Sequence, residues 1–586
     1  MPKQSSLHQY VRLLAKYLAP QWRRVIVLAL LLFASIGLQL VNPQILRFFI
    51  DAARASSPLD ELIKAAVLFF IVALVSQGIG VIETLMSNWV SFTATNEMRA
   101  DLALHCLRLD LSFHNQRTPG AMIQRINGDV SALANFLSTF VVLFIGNALF
   151  LIAVLIVLWG EEWRLGLAMT IWAIVGLFAL NRIRVFALPY WKQFRQVYEG
   201  YFGFLEERLN GIEDIRSNGA TAYVQSKITY WIRELYRKGR MADLMGTANV
   251  NLYLLLFITG NLIALGLGAY LFNANIISLG TVYLVFTYTG LVVIPIRQIS
   301  NQLQDLQSAG ASIGRIQELF DTPSQVQDRV DSSLMLPTGA LSVEFADVSF
   351  RYGEGESVLD RISFRLEPRR VLGVLGRTGS GKTTLSRLLF RLYDPTSGVI
   401  RLNDVSACDV PLADLRRRIE LVTQDVQLFN ATVRDNLTFF DATIADEKIV
   451  RVLDRLGLGE WSKALPQGLN TVLASGGGLS AGQAQLLAFA RVFLREPSLV
   501  ILDEASSRLD PATEHLLENA VDLLLDHSNR TGIVIAHRLS TVQRADEILI
   551  LEEGRIREYG SREELARDPG SRFYQLLQTG LEEVLA

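Results

Sequence analysis

Residues Gly376-Arg377-Thr378-Gly379-Ser380-Gly381-Lys382-Thr383-Thr384 match GxxxxGK[ST], a spacing that can wrap a chain of phosphates. The glycines let the backbone approach an anion with its N–H groups turned inward. A helix opening at Lys382 adds its positive N-terminal end. Lys382 would reach the β- and γ-phosphates, and the Thr383 hydroxyl would coordinate magnesium. Further on, Leu499-Val500-Ile501-Leu502-Asp503-Glu504 reads as a buried strand ending in two carboxylates. Asp503 can hold the magnesium through water, while Glu504 can polarise the water that attacks the γ-phosphate. Alone, the first motif could be a glycine-rich turn and the second a strand entering a polar loop. Together in one segment they point to nucleotide hydrolysis.

The elements that must position these groups are short apolar runs alternating with helical ones. The runs are Val371 to Leu375, Ile419 to Thr423, Leu499 to Leu502, Ile533 to Ala536 and Ile548 to Leu551. Their alternation predicts an α/β domain with a largely parallel sheet. The first run leads directly into the phosphate loop, and a helix is expected over Lys382 to Tyr393. This half follows a linker around Ser332 to Gly339.

The rest of the chain has a different solvent. Half of the 586 residues are hydrophobic, mean hydropathy is +0.28, and 19% are charged, against about 25% in typical soluble domains. Apolar stretches at Val25 to Ile50, Leu62 to Leu85, Leu137 to Trp159, Leu165 to Leu180, Asn249 to Leu271 and Val282 to Ile296 predict six membrane helices. The fourth is short, and the sixth contains Pro295, which membrane helices tolerate. Six in succession argue against buried helices of a soluble core. Met1 to Arg24 is long and amphipathic and lacks a small-residue cleavage site, so it is expected to be retained. Basic residues cluster before the first span and in the long connections after the second and fourth, which places those segments and both termini in the cytoplasm. The two long connections carry helical patterns interrupted at Asn115 to Gly120 and at Asn210-Gly211 and Asn218-Gly219. Each reads as a helical hairpin projecting below the bilayer.

The formal net charge of -2 supplies no basic field for nucleic acid. Cys106 and Cys408 have neither CxxC nor Cys/His ligand spacing and read as reduced, structural thiols.

Leu479-Ser480-Ala481-Gly482-Gln483 resembles the LSGGQ signature of ATP-binding cassette (ABC) proteins. In that family the signature serine and the following N–H groups face the γ-phosphate held by the opposing subunit. Other family elements occur in order. Tyr352 resembles the aromatic that stacks on adenine, and Gln424 the Q-loop glutamine that touches magnesium. Ser507-Arg508-Leu509-Asp510 resembles the D-loop, and His537 the switch histidine at the γ-phosphate. In the membrane half, Asn42-Pro43 through Ile50-Asp51, Asp110 to Asp129, and Glu206-Glu207 with Gly211 are similar to the exporter-type (type IV) membrane domain.

The resemblance implies a multidomain membrane protein: an all-α six-helix transmembrane domain over residues 1–325, a linker over 326–340 and an α/β P-loop ABC ATPase domain over 341–586. The hairpin tips near Asn115 and Gly211 become coupling helices. Glu504 and His537 are the expected catalytic residues. ATP is held by Tyr352, Gly376 to Thr384 and Gln424, and magnesium by Thr383, Gln424 and Asp503. Two features depart from the pattern. Ala481 replaces the signature glycine, and Leu473 to Gly476 lacks the glutamate that many exporters carry shortly before the signature.

One chain supplies half of the family's functional unit, so a second half-transporter is expected, a heterodimer being favoured slightly over a homodimer. The implied function is ATP-driven export, across the cell (inner) membrane, of a hydrophobic or amphipathic cargo such as a drug, lipid or peptide. The polar but uncharged Gln39, Gln77, Asn147, Asn249, Asn251 and Asn261 are candidates for its path, or equally for interhelical hydrogen bonds. The same motifs also occur in two other classes: a nucleotide-binding regulator or scaffold of another membrane protein, and a soluble ABC ATPase of DNA maintenance. The six spans count against the second.

Overall fold

The computed structural model describes residues 15–139, 144–328, 334–423, 426–473, 479–503, 511–525, 530–535 and 542–579. The chain divides into two compact units. One comprises Met1–Leu107 with Pro119–Thr322; the other comprises Arg108–Thr118 with Pro323–Ala586.

The first unit is helical: α1 (Trp22–Arg54), α2 (Leu59–Arg108), then, beyond the short α3 (Leu111–Asn115) of the second unit, α4 (Val130–Thr139), α5 (Asn147–Glu161), α6 (Trp163–Asn210), α7 (Ile212–Ser217), α8 (Thr221–Asn273) and α9 (Leu279–Phe320). Six helical segments are long and apolar enough to cross a bilayer, and they contain the expected runs apart from 137–143, part of which falls outside the described residues. Helices of 48 to 53 residues, such as α2, α6 and α8, reach about 75 Å at 1.5 Å per residue against a hydrocarbon core of about 30 Å. They therefore continue far beyond the spans, as the mixed-polarity connections require. Pro43, Pro189 and Pro295 lie inside α1, α6 and α9. The core packs Phe150, Leu158, Leu165, Trp172, Leu256 and Tyr288. Gly260 lets α8 approach closely, since a Cβ there would stand 2.5 Å from the Trp172 ring. Among the candidate path amides, Asn147 donates to Gln298 of α9 and Asn261 to its own helix at Phe257 O.

The second unit is built on two sheets. A six-stranded sheet has the order β12-β11-β3-β10-β9-β6, formed by β3 (Val371–Leu375), β6 (Ile419–Val422), β9 (Leu499–Asp503), β10 (Thr531–Ile535), β11 (Glu547–Glu552) and β12 (Arg555–Ser561). All its pairings are parallel except β11 with β12. Strand residues alternate between two cores. Val371, Leu375, Val500, Leu502, Val534 and Ile548 join one; Leu372, Val374, Ile501, Ile533, Ile535 and Leu549 join the other. That is the period of two expected of strands covered on both faces. A second, antiparallel sheet of order β2-β1-β4-β5 comprises β1 (Val343–Arg351), β2 (Ser357–Leu366), β4 (Ser397–Leu402) and β5 (Val405–Ser406). Sequence reasoning did not find it. The pair β7 (Ala431–Thr432) and β8 (Val472–Leu473) is separate.

The helix after the phosphate loop, α10 (Lys382–Leu389), is shorter than the expected Lys382 to Tyr393. Arg391 takes φ +49°, and the Leu392 N–H returns to Arg387 O at 2.9 Å, closing the helix end in a left-handed cap.

The segment read as a linker is docked. The Arg391 guanidinium donates to Gln327 O (2.9 Å), Leu412 N to the Asp328 carboxylate (2.9 Å) and Leu336 N to the Asp414 carboxylate (2.9 Å). Residues 108–118 join the same unit through α3. Asp110 caps it, accepting from Ser112 N (2.9 Å) and Phe113 N (3.3 Å). The same carboxylate accepts from Gln325 N and from Ser324 Oγ (3.2 Å). Leu111 packs on the cassette core. Burial opposes ionisation of Asp110, but these donors hold its carboxyl below the usual carboxylate range. The second hairpin tip is α7, flanked by Gly211 and by Gly219 at φ +65°. Neither Cys106 nor Cys408 is in a disulfide among the described residues.

Candidate functional site

The phosphate loop leaves the C-terminal end of β3 and enters α10 at Gly381. Two glycines are demanded by geometry. At Gly376 a Cβ would run into the carbonyl oxygen of Leu551, and at Gly381, with φ +105°, it would stand 2.5 Å from a Leu359 methyl. Lys382 is 5% exposed, and its ammonium lies over the loop, donating to Gly376 O and to Arg377 O (3.1 Å). The Ser380 hydroxyl is buried without a hydrogen-bond partner. A cationic tip, an orphaned hydroxyl and a helix N-terminus thus meet in one cradle, which is what a chain of phosphates requires.

Topology sets the facing carboxylate. β10 lies between β3 and β9, pairing Ile535 with both Val374 and Asp503. The parallel strands therefore end at one edge of the sheet, where open α/β sheets bind ligands. Burial pushes the Asp503 carboxyl above the usual carboxylate range, while the nearby Lys382 and Arg387 charges pull it back. Among the described residues no three His, Cys, Asp or Glu side chains converge to hold a metal. One carboxylate and the Thr383 hydroxyl suit a hard cation that keeps waters and shares phosphate oxygens, as magnesium does.

Tyr352 follows β1 and turns toward α10. Its hydroxyl lies 3.1 Å from Thr384 Oγ1, and Arg387 donates to it at 3.4 Å. Its ring meets Tyr393 edge to face at 5.2 Å, and Tyr393 Oη accepts from Asn115 Nδ2 at 2.8 Å. A cavity of about 350 Å³ is lined by Ser112, Asn115, Tyr352, Tyr393 and Asp394, among others.

Ser480 caps α11 (Ala481–Arg495) in a reciprocal box with Gln483: Gln483 N donates to Ser480 Oγ at 3.1 Å and Ser480 N to Gln483 Oε1 at 3.0 Å. Leu479 packs against the cassette core and Gly482 is buried, whereas Ser480 and Ala481 are exposed. Gln424, Glu504, Asp510 and His537 lie outside the described residues, as do residues 474–476 of the segment that lacks the glutamate.

Sequence reasoning missed several residues. Arg491 on α11 donates to Asn436 O (2.8 Å) and Gln427 O (3.0 Å), tying the signature helix to the segment after Gln424. Burial pulls its guanidinium down to about 10, so it stays charged at neutral pH. Nothing local in the sequence marks Arg491 or Tyr393. Asp110 followed by Leu-Ser-Phe carries a cap signal that could have been read.

Comparison with known proteins agrees with this arrangement. The family model described as "ABC transporter transmembrane region" matches residues 25–296, and that described as "ABC transporter" matches 359–507. A probable multidrug resistance ABC transporter ATP-binding/permease protein, YheH of Bacillus subtilis (strain 168), is 32% identical over 508 residues, covering 84% of this chain and 73% of that protein. An ATP-dependent lipid A-core flippase of Aromatoleum aromaticum is 32% identical over 584 residues, covering 96% and 94%. The structure of a bacterial Atm1-family ABC exporter with ATP bound superposes with a TM-score of 0.81 at 23% identity, over 95% of this chain and 99% of that one, which establishes the likeness of fold. The chain belongs to the ABC transporter family, as an exporter-type member that joins a six-helix membrane region and a transport-coupled ATPase in one polypeptide.

Proposed function

We propose that this chain is one half of a dimeric exporter that moves a hydrophobic or amphipathic cargo out of the cytoplasm or inner leaflet by alternating access. The observation that carries this reading is the cradle of Lys382 and the orphaned Ser380 hydroxyl facing Asp503, in a chain that also holds six candidate spans. Its orientation follows the Lys/Arg distribution, with both termini and the cassette in the cytoplasm and the helices in the cell (inner) membrane.

In this reading Lys382, Ser380 and the loop N–H groups bind and orient the phosphates of ATP. Tyr352 offers its ring to the base. Thr383, Asp503 and Gln424 would hold magnesium, which when bound neutralises phosphate charge. Glu504 accepts a proton from the attacking water, and His537 contacts the γ-phosphate. The exposed end of α11 at Ser480 faces the partner's nucleotide, with Asp510 alongside. Closure requires a ligand with different affinity for the two states, and a γ-phosphate bridging two subunits provides it. The tips at α3 and α7 act as coupling helices. The names of the relatives above, a multidrug protein and a lipid A-core flippase, support an amphipathic cargo. A heterodimer is favoured slightly, because Ala481 and the missing glutamate resemble exporters with one degenerate site.

Glu504→Gln is the test. The variant should retain ATP and lose steady-state hydrolysis by about 10²-fold or more, the scale of a positioned base. Undiminished turnover in a homodimer would overturn the assignment. Cargo-stimulated ATPase activity with vectorial movement in proteoliposomes distinguishes export from a regulator or scaffold.

A further inference from the structure

Between Lys64 and Glu97 the helix α2 carries a single charged residue, Glu83. It lies inside one of the candidate spans and is 6% exposed. Its hydrogen-bond donor is the Ser35 hydroxyl of α1, and among the described residues no lysine, arginine or histidine pairs with it. Ser35 Oγ in turn accepts from Gln39 Nε2 at 3.1 Å, and Gln39 is exposed. A polar track therefore runs from the surface of α1 through a hydroxyl to a buried carboxylate.

The depth of this group follows from its neighbours. The Arg24 guanidinium sits over the Trp89 ring at 4.4 Å, and Gln21 donates to Val90 O, a cation and an aromatic of the kind that anchors at a membrane interface. Glu83 lies six residues outward, about 9 Å at 1.5 Å per residue, within the inner-leaflet end of the span. One turn further out on its own face, Gly80 has open space, since a Cβ there would meet nothing within 4 Å. Ionised side chains at such depth are costly and normally face a partner charge, a water-filled cavity or a transported ligand. Here the charge meets one hydroxyl, and the open space lies one turn away at Gly80.

We propose that Glu83, with Ser35 and Gln39, forms a cation-binding site for the head group of a positively charged amphiphile entering from the inner leaflet. The inference rests on the amphipathic-cargo reading above and sharpens it, because it separates a cationic cargo from one bearing phosphate. Glu83 supplies the opposing charge, and Ser35 and Gln39 orient the carboxylate. The open side at Gly80 admits the alkyl chain.

The test measures binding without ATP, so it does not depend on turnover. The full-length dimer in nanodiscs is titrated with a dodecyltrimethylammonium salt, with an uncharged dodecyl analogue of similar size, and with dodecyl phosphate. The wild type should prefer the ammonium compound, and Glu83→Gln should weaken that binding about tenfold or more while leaving the uncharged compound unaffected. Glu83→Asp, which keeps the charge, should recover part of the loss and so controls for misfolding. Equal ammonium binding by wild type and Glu83→Gln, or wild-type preference for the phosphate or the uncharged compound, would overturn the site. Absence of ATP-driven movement of every amphiphile, with ammonium binding intact, would instead overturn the export reading and leave the site standing.

Discussion

Asp110→Ala should release α3 from the cassette unit. The carboxylate makes four contacts: two to the first N–H groups of the helix, and two to Ser324 and Gln325. Loss of an N-cap costs about 1 kcal/mol, and each further hydrogen bond is worth about 0.5 to 1.5 kcal/mol net. Asp110 is only part-buried, so solvent replaces some of the loss, and about 2 to 3 kcal/mol is a fair total for the local structure. The local opening equilibrium then rises about 30- to 150-fold, at 1.4 kcal/mol per factor of ten. Hydrogen exchange read by mass spectrometry on peptides spanning 108–118 and 320–328 measures this directly in the intact chain. Both peptides should lose protection together, while those of β3 and β9 stay unchanged. Loss in one peptide alone, or in neither, would refute a shared carboxylate clamp. Its pH dependence has a definite sign. A carboxyl held below its unfolded value stabilises at neutral pH, and that contribution is lost as pH falls through the lowered folded value.

The Asn115–Tyr393 bond predicts that Asn115→Ala and Tyr393→Phe are non-additive in the unfolding free energy of the cassette. A double-mutant cycle should return about 0.5 to 1.5 kcal/mol of coupling, and zero coupling would contradict the contact. Burial pushes the Asp503 carboxyl upward against the pull of Lys382 and Arg387, so its ionised form costs stability at neutral pH, a cost relieved as pH falls through the raised value. Magnesium-dependent nucleotide affinity should therefore begin to fall at a higher pH than an ordinary aspartate would give. An acid limb at or below the ordinary aspartate range would refute this.

The parallel strands were legible because each is an unbroken run of Val, Ile and Leu whose two faces are both covered, as at Leu499–Asp503. The antiparallel sheet was not. Val343–Arg351 mixes Glu, Asp and Arg with its apolar residues, and its pairing is irregular, with Asp347 at φ +52°. The phosphate loop was readable because its chemistry is continuous in sequence. Its surroundings depend on contacts across long separations: Asn115 lies 278 residues from Tyr393, and Asp110 lies 215 from Gln325. Glu83 escaped for the opposite reason. A hydropathy scan averages one carboxylate into an apolar stretch, and only its burial beside Ser35 singles it out.

The position of β10 works as a ruler. One interposed strand fixes the axes of β3 and β9 about 9.5 Å apart, twice the spacing of neighbouring strands, so the reach from lysine tip to carboxylate is set by backbone ladders and not by any adjustable side chain. A slip of one residue in the middle strand would slide one wall of the gap by about 3.3 Å and turn its side chains to the opposite face. The middle strand also has little latitude in bulk, because a methyl at Gly532 would press on Leu525 at 2.7 Å. Sequence drift in this cassette should thus be tolerated least in a strand that contributes no side chain of its own to the chemistry.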